Sequence, residues 1–225
     1  PRWTWWSPRR ACSGRRVDSP GRPGFAPRPV RLLFLGDVFG KPGREAVKRL
    51  VPRLIAGRSI DLVVANAENA ASGIGVTPES ADELLGAEVD LLTSGNHIWS
   101  KREIIPYLDR PDGRLLRPAN YPRGAPGRGR TVLSTPDGRK LGVINLEGRV
   151  FMKNLDDPFA VGLAETMTAW AQAGAAAPTA RTAATAAAAK FPIYFRILDF
   201  PHGRPLGILA ELTSIVIAAM RRPRR

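Results

Sequence analysis

Three short apolar runs in the first half of the chain constrain its fold more than any other feature. They occupy residues 30–35, 60–65 and 89–93, and stretches with helical character separate them. Short, predominantly apolar runs are typical of buried parallel strands, because helices or another layer cover the faces of such a sheet. The alternation of strand and helix therefore predicts an α/β fold with a doubly wound β-sheet.

The segments between these runs carry signals for helices. Residues 44–56 place apolar side chains on one helical face, and Gly57 is the predicted end of that helix. Thr77 followed by Pro78 predicts the start of a second helix, because threonine caps helices and proline suits their first turn. We expect a glycine-rich turn at residues 36–43.

The remaining chain gives further predictions of local structure. Residues 131–134 and 140–146 predict a hairpin around a Pro-Asp-Gly turn. Residues 101–108 predict a short helix or turn, and residues 191–200 predict one more strand. The apolar stretch at residues 206–220 is shorter than the roughly 20 residues of a membrane span, so we predict a buried helix and no membrane association.

A polar cluster follows each of the three apolar runs. Asp37 follows the first, Glu68 and Asn69 follow the second, and Asn96 and His97 follow the third. The carboxyl ends of parallel strands form the edge where α/β sheets bind ligands, so we expect these side chains to converge. Oxygen ligands beside an imidazole that can donate a proton indicate a metal-assisted hydrolase. Taken singly, each residue is more simply explained as a turn, a cap or a hydrogen-bonded buried side chain.

Charge and cysteine content give predictions about the N-terminal segment and the cellular location of the protein. The net charge is +14, and residues 1–29 hold seven arginines against one acidic residue. We interpret residues 1–29 as a disordered basic tail, since blocks of like charge repel and stay solvated. Weak nucleic-acid binding is the alternative role for such an arm. Cys12 is the one cysteine, so a disulfide framework is excluded and a cytoplasmic location is expected.

Together the motifs resemble the calcineurin-like metallophosphoesterase superfamily and, within it, the YmdB-type branch. The resemblance covers about residues 30–159. It is carried by Gly36-Asp37-Val38-Phe39-Gly40-Lys41-Pro42-Gly43, Asn66-Ala67-Glu68-Asn69 with Gly73, Gly95-Asn96-His97-Ile98-Trp99, Asn145-Leu146-Glu147-Gly148-Arg149-Val150-Phe151-Met152 and Asp156-Asp157-Pro158-Phe159. It implies a calcineurin-like α/β sandwich.

The resemblance also implies a reaction and a role for each site residue. Asp37 would hold the first of two iron or manganese ions, Glu68 would bridge both ions and Asn69 would assist as a ligand. Asn96 would hold the second ion, and His97 would protonate the leaving oxygen. The implied activity is two-metal hydrolysis of a nucleotide or other phosphodiester, such as a 2′,3′-cyclic nucleotide.

After Phe159 the sequence departs from the pattern of this branch. The branch continues with an Asp-Phe-His and a Gly-Thr-His-Thr-His segment, which supply metal-binding histidines. Here Asp199-Phe200-Pro201-His202 is only similar to the first segment, and the second is absent. We therefore divide the chain into residues 1–29, an α/β domain at 30–159 and a divergent Ala-rich, basic segment at 160–225.

This departure predicts an incomplete C-terminal half of the fold. We expect a truncated or frame-shifted copy whose natural start lies near Val30, with weakly bound metal and reduced or absent activity. The alternative hypothesis is a non-catalytic basic protein that binds RNA through its Arg-rich termini. The sequence is compatible with an oligomer.

Overall fold

The computed structural model describes residues 30–150, 152–172 and 215–220. Its first layer is a four-stranded parallel sheet in the order β1-β2-β3-β4. This layer confirms the predicted α/β class, and three of its strands are the predicted apolar runs. The strands are β1 Leu32–Asp37, β2 Leu62–Asn66, β3 Leu91–Thr93 and β4 Leu115–Leu116.

A second sheet is antiparallel and has the order β5-β6-β7. Strands β5, Arg130–Ser134, and β6, Lys140–Asn145, form the predicted hairpin, and β7 is Ile215–Met220. The prediction of a helix at residues 206–220 is therefore wrong for Ile215–Met220, which pairs with β6. An apolar run of this length is compatible with a helix or a strand. Here it forms a strand, because one edge of β6 is available for pairing.

Four α-helices accompany the sheets within the described residues. They are α1 Gly40–Arg58, α2 Pro78–Gly86, α3 Ile105–Leu108 and α4 Pro158–Gln172, with 3₁₀ turns at Asn96–Trp99 and Arg102–Ile104. The predicted cap of α2 is confirmed, because Thr77 Oγ1 accepts from Ser80 N at 3.3 Å. Helix α1 begins within the predicted glycine-rich turn. It also runs past Gly57, and Ser59 in the left-handed conformation ends it.

Strand β2 shows how the layers pack, because its successive side chains point to opposite faces. Val63 and Ala65 belong to an apolar core shared with the helices, in which Val51 and Leu84 are almost fully buried. Leu62 and Val64 face the second sheet, and they pack in a separate core with the residues Leu91, Leu116, Leu141 and Val143. One face of the parallel sheet thus meets helices and the other meets strands, as the sandwich prediction requires.

Gly57→Ala is expected to stabilise the protein by about 0.5–1 kcal/mol, because alanine loses less backbone entropy than glycine in a helix. Gly57 lies inside α1, and a Cβ built on it meets no atom within 4 Å. Urea denaturation of the wild-type chain and the variant measures the difference. A loss of stability would contradict the helical environment assigned to residue 57.

Other predictions lie outside the described residues. These are the tail at residues 1–29 and the strand at residues 191–200, and the domain boundaries stay predictions. Within the described ranges, no helix combines the length and apolarity that a membrane crossing requires.

Candidate functional site

The loops that follow β1, β2 and β3 are tied together at one edge of the parallel sheet. Val38 N donates to Asn66 O at 2.9 Å, and Ala67 N donates to Thr93 O at 2.9 Å. These bonds extend the pairing beyond the strands, so the loops start side by side. As a result the polar residues after the three strands come to one edge of the sheet.

Asp37, Asn69 and His97 form a chain of hydrogen bonds across this edge. Asn69 Nδ2 donates to Asp37 Oδ2 at 2.9 Å, and Asn69 Oδ1 lies 2.7 Å from His97 Nδ1. An ionised carboxylate only accepts hydrogen bonds, so Asp37 requires the NH₂ group of Asn69 to face it. The amide oxygen of Asn69 then faces His97, which must carry its proton on Nδ1. This arrangement leaves Nε2 of His97 for exchange of a second proton.

Glu68 lies buried beside this chain of bonds, with only 3% of its surface exposed. Glu68 N donates to Asn66 Oδ1 at 2.9 Å, which fixes the loop after β2. Its carboxylate lies directly against Gly95, where a Cβ would be 2.1 Å from Glu68 Oε2. The glycine before Asn96 therefore provides the space that the Glu68 carboxylate occupies.

Asn96 begins the 3₁₀ turn Asn96–Trp99 and is half-buried, as is His97. The edge thus combines two carboxylates, Asp37 and Glu68, with side-chain amides and one imidazole. Oxygen donors of this kind suit manganese and other hard cations, and the imidazole suits iron. Because Gly95 has no side chain, the Glu68 carboxylate can lie at this edge, where a metal ligand would be needed.

The described residues contain no complete metal site. Among them, no group of three or more His, Cys, Asp or Glu side chains is close enough to hold an ion. Both polar atoms of the Asn69 side chain are already engaged, with Asp37 and His97. In this arrangement Asn69 orients its two neighbours, and its role as a metal ligand stays a prediction.

Several buried polar residues behind this edge were not singled out as site residues from the sequence. Tyr121 packs edge-on against Trp99, with ring centroids 5.5 Å apart. Burial and then the negative charge of Glu147 raise the pKa of the Tyr121 phenol far above its ordinary value, and the charge of Glu68 adds to this rise. Tyr121 therefore adds a buried phenol beside the Asn96–Trp99 turn.

The loop after β6 joins the second sheet to this edge. Asn145 Nδ2 donates to Ser94 O at 2.6 Å, directly before Gly95. Asn120 exchanges two hydrogen bonds with the backbone of Glu147, each 2.9 Å long. The available sequence signal was the pair of polar residues Asn145 and Glu147, which follows an apolar strand as the three clusters do.

The hydrogen-bond chain predicts a single neutral tautomer of His97. In ¹⁵N NMR at a pH where the ring is neutral, we expect Nδ1 to be protonated and Nε2 to be free of protons. Asn69→Asp should preserve this tautomer, because it keeps an acceptor oxygen, whereas Asn69→Ala should give a mixture of both. A ring protonated on Nε2 in the wild-type chain would contradict the assigned orientation of Asn69.

The chain is similar to several known proteins. A family model described as YmdB-like protein matches residues 33–180. The chain is 45% identical over 130 residues to a Bacillus subtilis protein named 2′,3′-cyclic-nucleotide 2′-phosphodiesterase, covering 58% of this chain and 48% of that protein. It is 32% identical over 137 residues to a Mycoplasma genitalium protein named as a putative phosphatase/phosphodiesterase, covering 59% and 46%.

Two crystal structures have a similar fold. A hypothetical protein from Thermus thermophilus has a TM-score of 0.57 and 40% identity, over 62% of this chain and 53% of that one. A structure described as a novel phosphatase from Mycoplasma pneumoniae has a TM-score of 0.55 and 31% identity, over 62% and 50%. The chain spans about half the length of the curated relatives it matches.

Proposed function

This chain belongs to the YmdB-like protein family, and from that membership we propose that it carries the first half of a metal-dependent phosphoesterase site. The proposed substrates are phosphodiesters such as 2′,3′-cyclic nucleotides. The observation that carries the proposal is the hydrogen-bonded chain Asp37–Asn69–His97 at the carboxyl edge of the parallel sheet. The names of the relatives support hydrolysis of a phosphoester.

Asp37, Glu68 and Asn96 are the residues proposed to hold two ions, iron or manganese, with Asn69 beside them. When bound, such ions neutralise charge on the phosphoryl oxygens and provide a nucleophile. The chain contains two histidines, so few imidazoles are available as further ligands. We therefore expect weak metal binding, and turnover that is low or absent unless metal is in excess.

His97 is proposed to act in its doubly protonated form, giving the proton on Nε2 to the leaving oxygen of the substrate and keeping the proton on Nδ1. Asn69 keeps the ring in one orientation by accepting a hydrogen bond from Nδ1, and Asp37 keeps the Asn69 amide from flipping. A ring held in this way delivers its proton without a search through rotamers or tautomers. Asp37 and Asn69 thus have a positioning role toward His97 in addition to any contact with metal.

Metal analysis combined with hydrolysis of 2′,3′-cyclic AMP tests this proposal. We expect manganese or iron to support turnover by the wild-type chain, and Asp37→Asn to lower both metal affinity and turnover at least about tenfold. Asp112→Asn is a matched control, because Asp112 is exposed in a loop away from the edge, and it should leave both unchanged. A wild-type chain with neither bound metal nor turnover would contradict the proposal.

Two further properties remain predictions that rest on the sequence. The Arg-rich ends would bind nucleic acid weakly and in a salt-dependent manner, and the single cysteine favours the cytoplasm. Binding that survives removal of residues 1–29 and 221–225 would argue against a role for these ends.

A further inference from the structure

Phe39 and Ile74 expose apolar surface beside the candidate site. Phe39 is 61% exposed, although its neighbours in the chain, Val38 and Gly40, are buried. Ile74 is 47% exposed and directly precedes a buried residue. Five large apolar side chains are exposed among the described residues, and the ring of Phe39 lies against Gly73, which directly precedes Ile74 in the chain. Contiguous exposed apolar surface beside a polar site often marks a binding site.

The backbone around Phe39 holds the ring in a defined place. Gly73 has a φ of +94°, and a Cβ at this position would lie only 2.7 Å from Cζ of Phe39. A side chain at residue 73 would therefore displace the ring, whereas glycine lets the ring tip rest on the turn. In this position Phe39 is still 61% exposed.

Asn69 connects this ring to the hydrogen-bonded chain. The backbone oxygen of Asn69 accepts from Gly40 N at 2.9 Å and from Gly73 N at 3.2 Å. The side chain of Asn69 contacts Asp37 and His97. Asn69 thus contacts both turns that position the Phe39 ring, and it also contacts His97, the proposed proton donor. Phe39 is also only two residues beyond Asp37.

We propose that Phe39 binds the base of a nucleoside phosphodiester by stacking, with Ile74 extending the apolar surface. This inference rests on the proposed function and names the residue that would favour esters carrying a nucleobase. A base offers a flat face that stacks on an aromatic side chain without regard to sequence. A simple sugar phosphate has no such face, so it would gain nothing from the ring.

Saturation-transfer NMR with the full chain and an excess of chelator tests the proposal without turnover. The probes are 2′,3′-cyclic AMP and the base-free methyl ribofuranoside 2′,3′-cyclic phosphate. In the wild-type chain, we expect the adenine protons to receive the strongest saturation. Phe39→Ala should weaken binding of the nucleotide roughly 5- to 100-fold, and Phe39→Trp should restore it. Binding of the base-free ester should not change.

Phe159→Ala is the matched control, because Phe159 is 87% exposed and lies on α4. It should bind the nucleotide as the wild-type chain does. Equal binding by the wild-type chain and Phe39→Ala, or no saturation of the adenine protons in the wild-type chain, would overturn the proposal. Metal-dependent hydrolysis of the base-free ester is measured separately, so that failure of stacking is distinguished from failure of the phosphoesterase function.

Discussion

Replacement of His97 by alanine is expected to lower kcat for 2′,3′-cyclic AMP by about 10²- to 10⁴-fold, the usual contribution of a positioned general acid. The reason is that His97 is the side chain at the sheet edge whose Nε2 is left for proton exchange, while Nδ1 contacts Asn69. KM should change little, because the ring is proposed to act on the leaving oxygen and not on the base or ribose. Steady-state kinetics with manganese in excess measure both constants.

The other histidine of the chain supplies the control. His202→Ala makes the same chemical change at a position to which we assign no ligand role, and it should leave kcat within about twofold of the wild-type value. A leaving group of low pKa should partly restore turnover by His97→Ala, since such a group departs without a proton. Equal losses in both histidine variants would rule out a specific acid role for His97.

Gly95→Ala is expected to destabilise the protein by roughly 1–3 kcal/mol and to abolish metal binding at the candidate site. The added Cβ would lie 2.1 Å from Oε2 and 2.8 Å from Cδ of Glu68, so the buried carboxylate must leave its place. Its buried surroundings, at 3% exposure, offer it little room. Urea denaturation measures the stability, and metal titration of the folded variant measures the binding.

Gly36→Ala is a control with a matched position, because Gly36 precedes Asp37 as Gly95 precedes Asn96. A Cβ on Gly36 meets no atom within 4 Å, so the stability should change by less than about 0.5 kcal/mol. Comparable destabilisation by both substitutions would show that any side chain is harmful at this edge. The specific role of Gly95 as the space for Glu68 would then be wrong.

Sequence reasoning predicted the features that depend on neighbouring residues. The strands, the Thr77 cap and the hairpin arise from local patterns, and parallel pairing then brings the polar clusters to one edge. Strand β4, Leu115–Leu116, was missed because two residues show no period. The pairing of Ile215–Met220 with β6 was missed because a short apolar run does not reveal whether a sheet edge is available.

The internal arrangement of the site was even less accessible to sequence. Asn69 was expected as a ligand, but its contacts with Asp37 and His97 depend on distances between loops that are far apart in the chain. The need for glycine at position 95 becomes clear only in the structure, where the Glu68 carboxylate occupies the space of a side chain at that position. Glycine in a motif signals close approach, but it does not name the group that approaches.

The two sheets differ in when they can assemble during synthesis. Each strand of the parallel sheet pairs with its neighbour along the chain, whereas β6 pairs Asn145 with Ile215, 70 positions later. Closing that long segment costs about 2 kcal/mol more entropy than closing the β5–β6 hairpin turn. We therefore expect the parallel sheet and the hairpin to form while the ribosome is still adding residues. Strand β7 would then complete the second sheet only after residue 220 has been added.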